Sequence, residues 1–261
     1  MASNPIYFAH ANGIPGICYE PFLRQFEGHP YTYINCLGHA AHRVNPRDNW
    51  KPLIEEVQED ITSRFSEPVV GIGHSLGGYV LLEVAERNPS LFSQLIVMEP
   101  PLFAKKMRSM MNVLRTLGLS DYFIPVVKKS RNRTEQFPSR EYARKYFRQR
   151  TFFDQFHPES FELYLEKGLT ETTEGVTLTF SKQIEYEVFK YFPVAFLQRK
   201  HQLHSHFYYA KGSNLADVFD FQQLSKLLPY TTFTPFSKGT HMFPLEYPAE
   251  LGAELKPIFS S

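Results

Sequence analysis

Apolar positions in the first hundred residues switch between two rhythms. Ile6-Tyr-Phe-Ala9 is a short apolar run that ends in a loop punctuated by glycine and proline, His10-Ala-Asn-Gly-Ile-Pro-Gly16. Tyr31–Cys36 is a second β-rich run and closes on Leu37-Gly38-His39. Residues 51–65 follow the helical period, with Ile54, Val57, Ile61 and Phe65 on one face and Pro52 in the first turn. Val69-Val-Gly-Ile-Gly73 is apolar throughout, as expected of a strand covered on both faces. A helix is predicted from about Leu76 to a stop at Asn88-Pro89, and Leu95-Ile-Val-Met98 reads as a fourth strand. This alternation predicts a parallel sheet with right-handed crossovers.

Between 101 and 200 the rhythm changes. Helices are predicted near 103–117, 139–150, 158–167 and 182–192, with Ser139 and Ser181 as N-caps and Gly168 as a stop. Buried-strand signals return at His206-Phe-Tyr-Tyr-Ala210 and Tyr230-Thr-Thr-Phe233, and a closing helix is predicted near 248–259. The expected architecture is α/β, a mostly parallel sheet interrupted by a helical cap. Residues 1–100 and 201–261 form the core domain and 101–200 the cap or lid. In the first cap helix Phe103, Met107, Met110, Leu114 and Leu117 share a stripe, with Lys105, Lys106, Arg108, Asn112 and Arg115 off it. Three readings fit that stripe: a lid over a greasy pocket, a surface-seeking amphipathic helix, or a helix packed on the cap's own core.

Composition narrows the function. The 261 residues hold 28 Lys+Arg against 27 Asp+Glu, a net charge of +1, which argues against a general polyanion binder and against nucleic acid as a partner. The balance hides an asymmetry. Residues 101–150 carry 13 basic and 3 acidic side chains, so this stretch is +10 and the remainder −9. Such a segment suits an anionic substrate, transient contact with an anionic surface, or no partner beyond water. Two cysteines, Cys18 and Cys36, exclude a disulfide scaffold. No signal peptide or membrane-length apolar run is visible, and the expectation is a soluble, cytoplasmic protein, monomeric or homodimeric.

The chemistry centres on Gly73-His74-Ser75-Leu76-Gly77, a G-x-S-x-G placed between a buried strand and a helix. Such a turn lifts a serine hydroxyl above the sheet edge. A hydroxyl needs a base, and His241, after the last strand, reaches the same edge because parallel strands all end there. The acid that orients His241 is either Glu99, directly after Leu95–Met98, or Asp217, seven residues beyond Ala210. Geometry favours Glu99. The oxyanion donors are expected to be the backbone N–H of Leu76 and one N–H of the 10–14 loop, that of Asn12 or of Ile14. His74 reads as a packed neighbour of the nucleophile rather than the base. His201, His204 and His206 would be divided between two faces of a strand, with no carboxylate or cysteine among them, so no metal is expected, and acyl transfer by serine and histidine needs no cofactor.

These motifs resemble the α/β-hydrolase superfamily, in particular its small cap-bearing serine hydrolases. Phe8-Ala-His-Ala-Asn-Gly-Ile-Pro-Gly16 is similar to the oxyanion loop of a His-Ala-Asn-Gly subgroup. Asn35-Cys-Leu-Gly-His-Ala40 resembles the family's Asp-x-x-Gly-His-Gly loop, and Gly71-Ile-Gly-His-Ser-Leu-Gly-Gly78 its nucleophile elbow. Met98-Glu-Pro-Pro-Leu102 and Gly239-Thr-His-Met-Phe-Pro-Leu-Glu246 match the segments after the sixth and eighth family strands. Two departures stand out. The usual opening hairpin has no room here, and Ser213-Asn214 occupies the usual acid position, which supports Glu99. Serine at position 75 argues against the aspartate-nucleophile dehalogenases and epoxide hydrolases. The resemblance implies hydrolysis of a small to medium apolar acyl or aryl ester, or a thioester, through an acyl-enzyme. The alternatives are a slow ligand-binding or regulatory relative, or a C–C or amide hydrolase on the same residues.

Overall fold

The first apolar runs become the first strands of one sheet. Along the chain come β1 (Ile6–Ala9), α1 (Glu20–Leu23), β2 (Tyr31–Tyr33), α2 (Lys51–Arg64), β3 (Val69–His74), α3 (Leu76–Arg87) and β4 (Phe92–Met98). A long insertion follows, built from α4 (Lys105–Thr116), α5 (Ser120–Phe123), α6 (Pro125–Arg131), β5 (Gln136–Phe137), α7 (Arg140–Arg148), α8 (Thr151–Asp154), α9 (Pro158–Lys167), β6 (Leu169–Thr172), β7 (Gly175–Leu178) and α10 (Lys182–Lys190). The chain then returns with β8 (Ser205–Ala210), α11 (Phe221–Leu227), β9 (Thr231–Phe236), α12 (Phe243–Glu246) and α13 (Pro248–Leu255). This is a computed structural model, and it describes residues 4–39, 48, 50–193, 203–215 and 219–260.

Six strands pair in the order β2-β1-β3-β4-β8-β9, every neighbour parallel. Along β1 the side chains alternate between two cores. Ile6 and Phe8 join one apolar cluster, Tyr7 and Ala9 the other, and all four are fully buried. The sheet is therefore covered on both faces at its centre, which explains why β1 and β3 are buried throughout. On one face α2 and α3 supply Val57, Ile61, Val80 and Val84. On the other, Phe22 and Phe243 join Phe147, Phe161 and Tyr164 of the insertion, so the insertion shares a core with the sheet.

Because all six strands point the same way, the segments that follow β1, β3, β4, β8 and β9 converge on one edge. The register aligns them: Ala9 lies opposite Gly73, His74 opposite Met98, and Met98 opposite Tyr208.

The insertion, expected as a helical cap, also contains strands. β5, β7 and β6 form a three-stranded antiparallel sheet. These strands are two to four residues long; β6 exposes three of its four positions, and the alternation in β7, with Val176 and Leu178 buried, spans too few residues to stand out. Ser139 and Ser181 do cap their helices, each side chain accepting a backbone N–H of the first turn. In α4 no residue is fully buried, although Met111 packs half-buried against the cluster that holds Val188 and Phe192.

Candidate active site

β3 ends at His74 and α3 begins at Leu76, leaving Ser75 alone to reverse the chain. Its backbone sits at φ 52° and ψ −116°, a conformation that costs a side-chain-bearing residue about 1–3 kcal/mol. The turn closes only because its flanks lack side chains. A Cβ on Gly77 would stand 2.1 Å from the carbonyl oxygen of Ala9, and one on Gly73 2.7 Å from Cα of Gly78. The Ser75 N–H donates to Met98 O (2.8 Å) and the Gly77 N–H to His10 O (3.1 Å), which ties the elbow to β4 and to the loop after β1.

Glu99 follows β4 at φ 43° and is fully buried. Three donors converge on its carboxylate: the Ala210 N–H at 2.8 Å, the Ser213 hydroxyl at 2.7 Å and His241 Nδ1 at 2.6 Å. Ser213 Oγ accepts the Leu215 N–H, which turns its own proton towards Glu99. A carboxylate so placed accepts only, so the proton of this bond lies on His241 Nδ1, the arrangement in which a neutral ring has Nε2 as its acceptor. Of the two carboxylates weighed from the sequence, Glu99 meets the imidazole, and Asp217 lies outside the described residues. Ser213 is not idle for lack of charge. Its hydroxyl helps to fix Glu99.

The loop carrying His241 has its own clamp. Gly239 takes φ 78°, and the N–H and hydroxyl of Thr240 both donate to the nearly buried Glu246 (2.7 and 2.5 Å). Sequence reasoning assigned no role to Glu246. Its only signal was its place at the end of the motif that starts at Gly239.

His74 joins the three loops. Its ring is fully buried, with Nε2 2.8 Å from the backbone oxygen of His241 and Nδ1 2.7 Å from the Tyr19 hydroxyl. A carbonyl only accepts, so Nε2 bears the proton and Tyr19 donates to Nδ1. The Tyr19 oxygen in turn accepts the Ala11 N–H (3.3 Å). Burial holds the network neutral, pulling the His74 pKa well below its usual value and pushing that of Tyr19 well above. The His241 ring lies beside the elbow, 4.9 Å from the His74 ring between centroids. Among the described residues no hydrogen bond joins the Ser75 hydroxyl to His241.

The loop after β1 is pinned by His10, whose buried ring accepts the Leu37 N–H on Nε2 (2.8 Å) and donates from Nδ1 to Ala11 O (2.7 Å). Burial lowers its pKa to about 4. The Ile14 N–H donates back to Ala11 O (3.3 Å), so it is occupied by the loop's own turn. The Asn12 N–H donates to no backbone carbonyl among the described residues. Its side-chain Nδ2 reaches the backbone oxygen of Glu185 on α10 (3.0 Å), and its Oδ1 is buried without a partner. Gly13 lies against the ion pair of Arg133 and Glu185, where an added Cβ would sit 2.8 Å from the Glu185 carboxyl carbon.

Among the described residues no group of three or more His, Cys, Asp or Glu is placed to hold a metal. His201 lies outside them, while His204 packs on Tyr230 and His206 lies beside Gln94. No described helix is long and apolar enough to cross a membrane.

Comparison with known proteins matches the chain to a family. The model described as "Alpha/beta hydrolase family" covers residues 6–254. The abhydrolase domain-containing protein AFT2-1 of Alternaria alternata is 29% identical over 112 residues, a match spanning 43% of this chain and 37% of that protein. Several solved structures share the fold. E-2-(acetamidomethylene)succinate hydrolase superposes with a TM-score of 0.76 at 12% identity, covering 99% of this chain and 92% of its own. The thioesterase domain from the curacin biosynthetic pathway gives 0.74 at 17% identity, with 99% and 92% covered. The peroxisomal alpha-beta-hydrolase Lpx1 from Saccharomyces cerevisiae gives 0.69 at 18% identity, with 100% and 78% covered. At such identities the likeness is one of fold alone.

Proposed function

The chain belongs to the alpha/beta hydrolase family, and from that premise we propose that it is a serine hydrolase cleaving a small to medium apolar acyl or aryl ester, or a thioester. The observation that carries the reading is the bond from His241 Nδ1 to the buried Glu99, set beside a strained Ser75. In the reaction Ser75 Oγ bonds to the substrate carbonyl carbon while its proton passes to His241 Nε2. Glu99 holds the imidazole in the tautomer that can take that proton and stabilises the cation it becomes. The hydrogen bond from serine to histidine forms as substrate seats, since such contacts tighten in the reacting complex.

Negative charge develops on the carbonyl oxygen. The Leu76 N–H, at the start of α3, and the Asn12 N–H serve as its donors, a choice over Ile14 supported by the bond that the Ile14 N–H already makes to Ala11 O. The intermediate collapses, and the leaving alcohol or thiol takes the proton from His241. Water then attacks the acyl-enzyme with His241 again as base, releasing the acid and restoring Ser75. No metal or cofactor enters these steps. The insertion between β4 and β8 acts as the cap, and the substrate is a small molecule.

A fluorophosphonate probe tests the reading. It is expected to label Ser75 in the wild type and nothing in Ser75→Ala, and acyl esters of graded chain length are expected to be hydrolysed by the wild type alone. Folded protein that neither labels nor turns over any of these esters, yet is stabilised by one of them, would instead be a ligand-binding relative.

A further inference from the structure

The described surface exposes nine large hydrophobic side chains, and six of them crowd between 110 and 126: Met110, Val113, Leu117, Tyr122, Phe123 and Val126. Their exposure runs from 44% to 69%. On α4 the positions 106, 110, 113 and 117 fall on one stripe, so Lys106, Met110, Val113 and Leu117 form a single outward row. The helix is held to the protein by another side. Arg115 donates to the backbone oxygen of Phe192 (3.2 Å), and Phe103, just before the helix, packs on the Phe192 ring at 5.0 Å between centroids.

Charge marks the same face. Between 105 and 131 the sequence places seven basic residues against one acidic residue, Asp121. Elsewhere in the insertion the basic excess is largely used internally: Arg133 pairs with Glu185, Arg140 with Glu171, Arg144 with Glu162 and Lys145 with Glu141. Asp121 itself is held by Lys190 and Tyr186, with Arg131 at 3.9 Å. Lys105, Lys106, Lys128 and Lys129 are exposed and make no ion pair among the described residues. Positive charge without an ion pair and exposed apolar side chains therefore occur together along α4, α5 and α6, whereas Arg148 and Arg150, near the exposed Phe152, lie over the rings of Phe161 and Tyr146.

We propose that this face docks on a lipid bilayer bearing anionic headgroups. Met110, Val113, Leu117 and Phe123 enter the interfacial layer, and Lys105, Lys106, Lys128 and Lys129 meet headgroup phosphates and carboxylates. A short amphipathic helix with lysines beside a row of apolar side chains has the chemistry for peripheral binding of this kind. Nucleic acid would use the lysines and leave the apolar row in water. The proposal does not rest on the Ser75 chemistry, and Ser75→Ala is expected to bind bilayers as the wild type does.

Co-sedimentation with vesicles of phosphatidylcholine, with and without phosphatidylserine, tests it. Binding is expected only with phosphatidylserine and is expected to weaken as salt rises. Each lysine near such a surface contributes about fivefold to partitioning, so Lys128→Gln with Lys129→Gln is expected to weaken binding ~25-fold. Leu117→Asp is expected to abolish it, while Lys226→Gln, an exposed lysine on α11, changes nothing. Melting temperatures measured alongside report the fold, and the lysine pair decides the matter if Leu117→Asp does not fold. Absence of the wild type from the phosphatidylserine pellet overturns the proposal. So does binding that neither substitution alters, or a dimer in solution that Leu117→Asp dissociates, which would assign the face to a second copy of this chain.

Discussion

Replacing Glu99 by glutamine tests the site at its most constrained atom. The substitution is nearly isosteric, yet the carboxylate it removes is fully buried and faces donors alone: the Ala210 N–H at 2.8 Å, the Ser213 hydroxyl at 2.7 Å and His241 Nδ1 at 2.6 Å. An amide cannot satisfy all three. With its oxygen towards Ala210, its NH₂ faces His241 and donates to Nδ1. The imidazole then carries its proton on Nε2 and cannot accept that of Ser75. With the amide reversed, its NH₂ meets the Ala210 N–H, two donors face to face without water, at about 1–3 kcal/mol. The first arrangement avoids that cost and holds the wrong tautomer. Loss of the orienting carboxylate in a serine protease lowers turnover about 10⁴-fold, or about 5.5 kcal/mol of barrier, and the same order is expected here. The assay is ester turnover with the fluorophosphonate labelling rate measured in parallel, both falling together, while the melting temperature changes by only a few degrees. A Glu99→Gln protein that keeps more than about a tenth of wild-type turnover refutes this reasoning. So does an Asp217→Asn protein that loses more than Glu99→Gln does.

Gly77→Ala places a methyl 2.1 Å from the Ala9 carbonyl oxygen, so β1 and the elbow must separate. A loss of about 3 kcal/mol or more by urea unfolding is expected, and a near-neutral result would contradict the close approach. Tyr19→Phe deprives His74 Nδ1 of its donor and the Ala11 N–H of its acceptor in a buried setting. Each costs about 1–3 kcal/mol, and an unchanged unfolding midpoint would speak against the network. Folding lowers the His74 pKa and takes that of His10 from 6.5 to about 4. Below about pH 6.5 the unfolded chain therefore takes up protons that the folded protein refuses, and stability falls as pH drops from 6.5 towards 4. The slope is up to about 1.4 kcal/mol per pH unit for each histidine, and a melting temperature that stays flat over this range would contradict their burial as neutral rings.

What could be read from the sequence was what a local pattern encodes. Ser75 stands out because it falls between a buried strand and a helix with glycines on both sides. Glu99 stands out as the residue directly after an apolar strand, with Asp217 as its rival, and His241 as the histidine after the last strand. Tyr19, Ser213 and Glu246 were not, although each bonds to a residue of the site or of its loops. Their partners lie across folds of the chain, Tyr19 to His74 and Ser213 to Glu99, and no periodicity relates such pairs. The bond from the Ile14 N–H to Ala11 O, on which the proposed preference for Asn12 rests, is not specified by the loop sequence. The insertion was read in outline. Its longer helices have stripes and caps, whereas α5 has four residues, α6 seven and β5 two, too short for any period to declare itself.

The contiguous stretch from Val69 to Glu99 has a practical corollary. This one β-α-β unit carries both Ser75 and Glu99, and His241 arrives from the far end of the chain. Severing the polypeptide between α10 and β8 would leave two of the three groups on the first fragment and the third on the second, with neither piece complete. Recovered turnover on mixing the halves would then report sheet reassembly directly, since the strand returning beside β4 also brings back the Ala210 N–H that Glu99 holds.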